Sequence, residues 1–168
     1  RFGQSHCVAL DAADVAVRAR LGPSGGSAAL AKMVTALTPL EPALVETDPQ
    51  LLAAEVLRQV SKRSLVVLFG SLDTAADTGL LPAARVLAVR HELVVASVAD
   101  PAIARLAAGR ADAADVYCAA AAELTATTRQ GVIEQLHAIG AHVVDAPADV
   151  FASHVADADL DLKAAGLL

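Results

Sequence analysis

The chain has 168 residues, of which 55% are apolar and only 2% aromatic, and its 13 Lys and Arg against 19 Asp and Glu give a net charge of -6. The apolar content excludes an intrinsically disordered chain, and an acidic chain without clustered Lys or Arg is not a general nucleic-acid binder. Apolar stretches such as 65–69 and 93–98 are strand-sized, whereas a membrane-spanning helix needs about 20 residues.

Hydrophobic periodicity, capping residues and turn residues predict secondary-structure elements along the whole chain. In chain order they are one or two strands within 7–19, joined at 11–14, a turn at 22–26, a helix at 27–37, a helix at 49–62, a strand at 64–70, a helix at 80–90, a strand at 93–98, helices at 103–109 and 111–139, a strand at 142–145 and a helix at 150–165. Strands that alternate with helices of ten or more residues predict βαβ units with a parallel sheet. The fold class is therefore α/β.

Several polar residues follow these predicted strands or precede a helix. Asp73, Asp100 and Asp145 lie near strand carboxyl ends, where open parallel sheets bind their ligands, and Thr47 with Asp48 enters a helix that could approach the same edge. Such oxygen ligands suit Mg²⁺ or Ca²⁺. The competing interpretation is that these acids are helix N-caps, which fits Asp100 before Pro101 especially well.

Other reactive side chains give weaker indications. Ser71 follows a strand, but the glycine that a nucleophile elbow needs two residues later is missing. Cys7 and Cys118 are too few for a disulfide scaffold or a zinc site, and we predict that both are buried, reduced thiols. Arg129 is predicted, like the arginines at 105 and 110, to lie on a solvated helix face.

An ordered series of segments resembles a bacterial protein family, the domain-of-unknown-function family 58, which has a von Willebrand factor A-like domain. The segments are VALD (8–11), VRARL (17–21), LVETD (44–48), RSLVVL (63–68), LDTAA (72–76), RHELVV (90–95), DP (100–101), VY (116–117), AAAAE (119–123), VVDAP (143–147) and LKAAGL (162–167). Their Ala-rich character with Asp and Arg resembles actinobacterial members. The resemblance implies a Rossmann-like three-layer sandwich with a mainly parallel sheet. It also implies that residues 1–168 form a single von Willebrand A-like domain. This domain would lack its first strand and be N-terminally truncated.

The resemblance also implies the place of a metal-ion-dependent adhesion site at the carboxyl edge of the sheet. In that site an Asp-x-Ser-x-Ser loop, a Thr from a second loop and an Asp after the fourth strand bind Mg²⁺. Here no Asp-x-Ser-x-Ser occurs, and Gly70-Ser71 stands where the family usually has Thr-Asp. Thr47 matches the threonine position, and Asp73 is the nearest acid to the missing carboxylate. We therefore expect a degenerate site, with Thr47 and Asp73 as the metal-ligand candidates and with no other cofactor.

By the same resemblance we expect a non-enzymatic protein-binding and assembly module whose partner is a MoxR-type AAA+ ATPase. Its partner-facing loops would carry Asp48, Ser71 and Asp100. Family members are often membrane-anchored, but this sequence has no anchor segment, so we expect it to be a cytoplasmic domain. The alternative is a small Mg²⁺-dependent hydrolase or phosphotransfer domain that uses Asp73, Asp100 and Ser71.

Overall fold

A computed structural model describes residues 7–26, 28–41, 45, 47–73, 76 and 79–168. The chain divides into two compact units, Arg1–Ser61 and Lys62–Leu168. The predicted single domain over residues 1–168 stays a prediction.

The first unit is an antiparallel hairpin with two helices. Strand β1 (Cys7–Ala13) pairs with β2 (Val17–Gly25), and helices α1 (Ala28–Leu37) and α2 (Pro49–Gln59) follow. The predicted turn at 22–26 is wrong, because β2 continues to Gly25. Val8 pairs with Ser24 but Leu10 pairs with Leu21, so the additional β2 residue is absorbed as a bulge. A bulge tolerates the proline at position 23, which cannot donate to a strand ladder.

Polar side chains connect α2 to the hairpin and begin the helix. The carboxylate of Asp48 accepts the backbone N–H groups of Gln50 and Leu51, and Pro49 occupies the first helical turn, where its missing N–H costs nothing. Arg20 on β2 forms ion pairs with both Asp11 and Glu55. The N-cap predicted from the sequence is confirmed, whereas the helix ends at Gln59, before residue 62.

The second unit is built on a parallel sheet with strand order β3-β4-β5, formed by Leu65–Phe69, Glu92–Ala99 and His142–Pro147. Residues 91–97, which include most of β4, are buried. A strand that is covered on both faces needs apolar residues at consecutive positions, which is the pattern the sequence has there. The prediction of parallel strands at these places is confirmed.

Helices cover both faces of this sheet. They are α3 (Leu80–Ala88), α4 (Pro101–Ala107), α5 (Ala113–Ala138) and α6 (Ala148–Ala164). Val94, Ala96 and Val144 form a core cluster with Leu162 of α6. The alternate side chains, among them Ser97, face the other side, where Arg129 of α5 contacts Ser97. The unit is therefore a helix–sheet–helix arrangement, which confirms the predicted α/β fold class with its Rossmann-like character.

Helix α5 is longer than the strand that follows it. Its 26 residues span about 39 Å, whereas the six residues of β5 span about 20 Å. The buried residues of its C-terminal half are Val132 and Leu136, and those of its N-terminal half are the smaller Ala119 and Ala122. The predicted burial of both cysteines is wrong, because Cys118 in this half of α5 and Cys7 on β1 are exposed.

Candidate functional site at the carboxyl edge of the sheet

The carboxyl ends of β3, β4 and β5 meet at one edge of the parallel sheet. In the three segments at this edge, 69–73, 97–101 and 145–149, the sequence has four aspartates and no Lys or Arg. The aspartates are Asp73, Asp100, Asp145 and Asp149. Two of them belong to helix starts: Asp100 is the N-cap of α4, and Asp149 lies in the first turn of α6. An edge of this composition attracts cations, and one of the protein's own cations reaches it.

That cation is Arg129, which enters from α5. Ser97 and Asp145 are register partners on β4 and β5, so their side chains leave the same face of the sheet. The Arg129 Nε donates to Asp145 Oδ2 at 2.6 Å, and Nη2 donates to Asp145 Oδ1 and to Ser97 Oγ, the latter at 2.9 Å. Ser97 is only 2% exposed. The guanidinium thus forms a bidentate ion pair and also satisfies a buried hydroxyl.

The electrostatics of this pair extend to a second acid. The hydrogen bonds that Arg129 donates to Asp145, together with the negative charges of Asp145 and Asp73, raise the pKa of Arg129 above its ordinary value despite its burial. Ser71, just after β3, donates its hydroxyl to Asp73 Oδ2 at 2.7 Å. The edge therefore holds an arginine cation that interacts with two carboxylates.

A shallow, open depression of about 290 Å³ lies beside the ion pair. We define the carboxyl-edge depression by the residues that line it: Phe69, Gly70, Ser71, Ala96, Ser97, Val98, Arg129 and Phe151. Phe69 ends β3 and Phe151 lies in the first turns of α6, and their ring centroids are 6.0 Å apart with the planes tilted by 57°. This is a favourable aromatic geometry, yet Phe69 remains 62% exposed.

Comparison with known proteins identifies the family. The family model described as "Protein of unknown function DUF58" matches residues 4–139, most of the chain. The chain belongs to this family. No curated protein and no solved structure matches. Membership confirms the resemblance to family 58 over these residues, and the description of the DUF58 family itself states no function.

The structure places the other predicted site residues of this DUF58 member as follows. Asp48 and Asp100 are both helix N-caps, and the carboxylate of Asp100 accepts the N–H of Ala102. Thr47, exposed just before α2, lies in the first unit, whereas Asp73 lies in the second. Joint metal binding by Thr47 and Asp73 therefore stays a prediction, as does the partner-facing role of the three loops.

The described residues at this edge do not fit a divalent-cation site around Asp145. Both of its oxygens accept hydrogen bonds from Arg129, and a second cation at that carboxylate would be repelled by the guanidinium. Over the part of the chain that the structure describes, no group of three or more His, Cys, Asp or Glu could hold a metal ion. Arg129 supplies the positive charge beside Asp145.

The prediction that Arg129 lies on a solvated face is wrong, because its side chain is only 25% exposed and its pair with Asp145 spans two elements. The signal for this was present in the sequence. Arg129 shares the helical face of Val132 and Leu136, at spacings of three and seven residues, and that face is the buried one. Ser97 and Phe151 have no comparable signal, since only the register of the sheet and the start of α6 bring them to the depression.

Among the helices that the structure describes, none is long and apolar enough to cross a membrane.

Proposed function

We propose that this DUF58 chain is a non-enzymatic protein-binding and assembly module that acts with a MoxR-type AAA+ ATPase. The observation that carries the binding role is an exposed aromatic residue, Phe69, beside a rigid arginine ion pair in the carboxyl-edge depression. The choice of an ATPase partner is motivated by the resemblance of the sequence to family 58. Because such a partner needs ATP, the proposed compartment is the cytoplasm.

The chemistry of the depression supports protein binding. Aromatic residues and arginine are enriched in the energetically dominant positions of protein interfaces. Phe69 is already oriented by its contact with Phe151, and Arg129 is held by Asp145 and Ser97. A partner that covers Phe69 would therefore gain apolar burial without paying much side-chain entropy.

The arrangement of nucleophile and base candidates supports a non-enzymatic role. Ser71 donates directly to a carboxylate, that of Asp73, whereas an activated serine is paired with a base such as histidine that a third group orients. His142 begins β5 and His91 directly precedes β4, so both lie at the amino ends of the strands, opposite the depression. His91 is also buried, and both of its ring nitrogens lack hydrogen-bond partners.

Binding of the chain to a purified MoxR-type ATPase tests the proposal. We expect Phe69→Ala to weaken binding at least tenfold. Leu160→Ala is the matched control, because Leu160 is 60% exposed, close to the 62% of Phe69, and lies far along α6 from the depression. Equal affinities for the wild type, Phe69→Ala and Leu160→Ala would refute the assignment of the binding surface, and absence of ATPase binding by the wild type would refute the partner.

Turnover assays test the enzymatic alternative. We expect no hydrolysis or phosphotransfer on a panel of phosphoesters with Mg²⁺ present. Mg²⁺-dependent turnover that Asp73→Asn and Ser71→Ala both abolish would overturn the non-enzymatic proposal. A background activity that is equal in wild type and both variants would come from a contaminant and leaves the binding proposal standing.

A further inference from the structure

The carboxyl-edge depression combines apolar walls with an acidic surround. Phe69, Val98 and Phe151 contribute apolar surface, and both Phe69 and Val98 are more than half exposed. The four aspartates of segments 69–73, 97–101 and 145–149, against Arg129, leave an excess of three negative charges around this small surface. Neither feature alone identifies a ligand, but together they restrict the chemistry of what can cover the depression.

The ion pair determines how that charge is distributed. Arg129 lines the depression and donates hydrogen bonds to Asp145 and Ser97, so its positive charge is largely compensated by Asp145. Asp73, which also interacts with Arg129, lies with Asp100 and Asp149 at the other strand and helix ends of the same edge. A bound segment therefore meets a neutral, apolar centre with acids around it, which is the general plan of a protein interface.

We infer that the depression binds a partner segment in which one apolar side chain is flanked by Lys or Arg. The inference rests on the proposed binding function and specifies its partner chemistry. The apolar side chain would cover Phe69 and Val98, and the flanking cations would interact with Asp73, Asp100 and Asp149. Such charge complementarity speeds association and selects against acidic partners.

The charge of the chain itself argues against two other occupants. A second copy would bring another net charge of -6 to an edge that is already acidic, so the two copies repel each other. A partner carboxylate, which a metal-loaded adhesion site would select, is disfavoured as well, because Arg129, the cation that lines the depression, is already paired with Asp145.

Three blocked peptides provide the probe. The basic-leucine peptide has the sequence Lys-Lys-Leu-Lys-Lys between terminal glycines. In the basic-glycine peptide the leucine is replaced by glycine. In the acidic-leucine peptide the lysines of the first peptide are replaced by glutamate. Titration into ¹⁵N-labelled chain is followed by amide chemical shifts. We expect the basic-leucine peptide to shift the amides of Gly70, Ser71, Ser97 and Val98, with at least fivefold weaker binding of the basic-glycine peptide and no such shifts with the acidic-leucine peptide.

Charge variants test the acidic surround without changing the helix caps. Asp100→Asn retains N-cap capacity, since Asn caps as well as Asp, and we expect it to weaken binding of the basic-leucine peptide two- to fivefold and to reduce its salt dependence. Asp149→Asn should act in the same direction. Asp161→Asn is the control, because Asp161 is an exposed acid near the far end of α6, and we expect no change in affinity.

The outcomes separate this inference from the proposed function. Binding of the acidic-leucine peptide at these amides, equal binding of both basic peptides, or shifts that avoid the depression would each overturn the inference. So would complete absence of binding by the basic-leucine peptide. None of these results changes the ATPase-binding measurement with Phe69→Ala, which tests the proposed function by itself.

Discussion

Replacing Arg129 with methionine removes the guanidinium from the sheet edge while retaining an apolar stem of similar reach. The change leaves the carboxylate of Asp145 without its bidentate donor and the buried hydroxyl of Ser97 without its partner. A hydrogen bond to a charged group contributes about 1.5–3 kcal/mol, and breaking a fully buried ion pair costs about 3–5 kcal/mol. The two side chains are 25% and 22% exposed, so partial solvation lowers the cost, and we expect a loss of about 2 kcal/mol.

The assay is urea unfolding followed by circular dichroism, with a double-mutant cycle of Arg129→Met and Asp145→Asn. We expect a coupling energy of about 1–2 kcal/mol and, for Arg129→Met alone, a fall in the melting temperature of about 4–8 °C. The ion pair between Arg110 and Glu123 is the matched control. Its side chains are 55% and 59% exposed, and exposed pairs contribute little, so we expect a coupling below about 0.5 kcal/mol.

A coupling for Arg129 and Asp145 as small as that of the control pair would refute the reasoning. It would mean that water solvates both groups as well as the protein does, and Arg129 would then be the solvated surface residue that its sequence context first indicated. A large coupling in both pairs would instead show that exposure does not determine the strength of ion pairs in this chain.

Three further predictions concern stability. Burial and the positive charges of neighbouring arginines lower the pKa of His91 in the folded chain. Below about pH 6.5 the unfolded chain therefore binds a proton at this histidine that the folded chain excludes, and the free energy of unfolding falls as the pH drops from there to the lowered pKa. His91→Met should lack this part of the pH dependence. Asp48→Ala should cost about 1 kcal/mol in urea unfolding through loss of the α2 N-cap, and Asp48→Asn almost nothing. Leu136→Ala should cost about 2–5 kcal/mol by creating a cavity, whereas Leu124→Ala, at an exposed position of the same helix, should stay within about 0.5 kcal/mol.

Each of these has an outcome that contradicts it. The same pH dependence in wild type and His91→Met would place the titrating group elsewhere. An Asp48→Asn variant as unstable as Asp48→Ala would show that the charge, and not the cap hydrogen bonds, stabilises α2. Similar losses at positions 124 and 136 would mean that both halves of α5 are equally covered.

Elements in both units follow from local patterns in the sequence. The run Leu65–Phe69 and the buried strand around Val94 contain consecutive apolar residues with a pair of valines in each, which is the signature of parallel strands covered on both faces. Asp48 before Pro49 and Asp100 before Pro101 mark helix starts, because an N-cap followed by proline satisfies the first turn. Such patterns involve residues close in the chain, so they can be recognised without the fold.

The candidate site depends on residues distant in sequence and could be predicted only in part. The acids at the strand ends follow from the order of the elements, and the helical spacing of Arg129 with Val132 and Leu136 indicates the face on which it lies. However, Arg129 contacts both Ser97 and Asp145 only because of the register of β4 against β5. If that register were shifted by one residue, the side chain of Asp145 would point to the opposite face of the sheet. The path of β2 through Gly22 and Pro23 likewise depends on pairing with β1. Local sequence determined which elements form, and tertiary structure decided which side chains meet, because register and packing set contacts between segments that lie far apart in the chain.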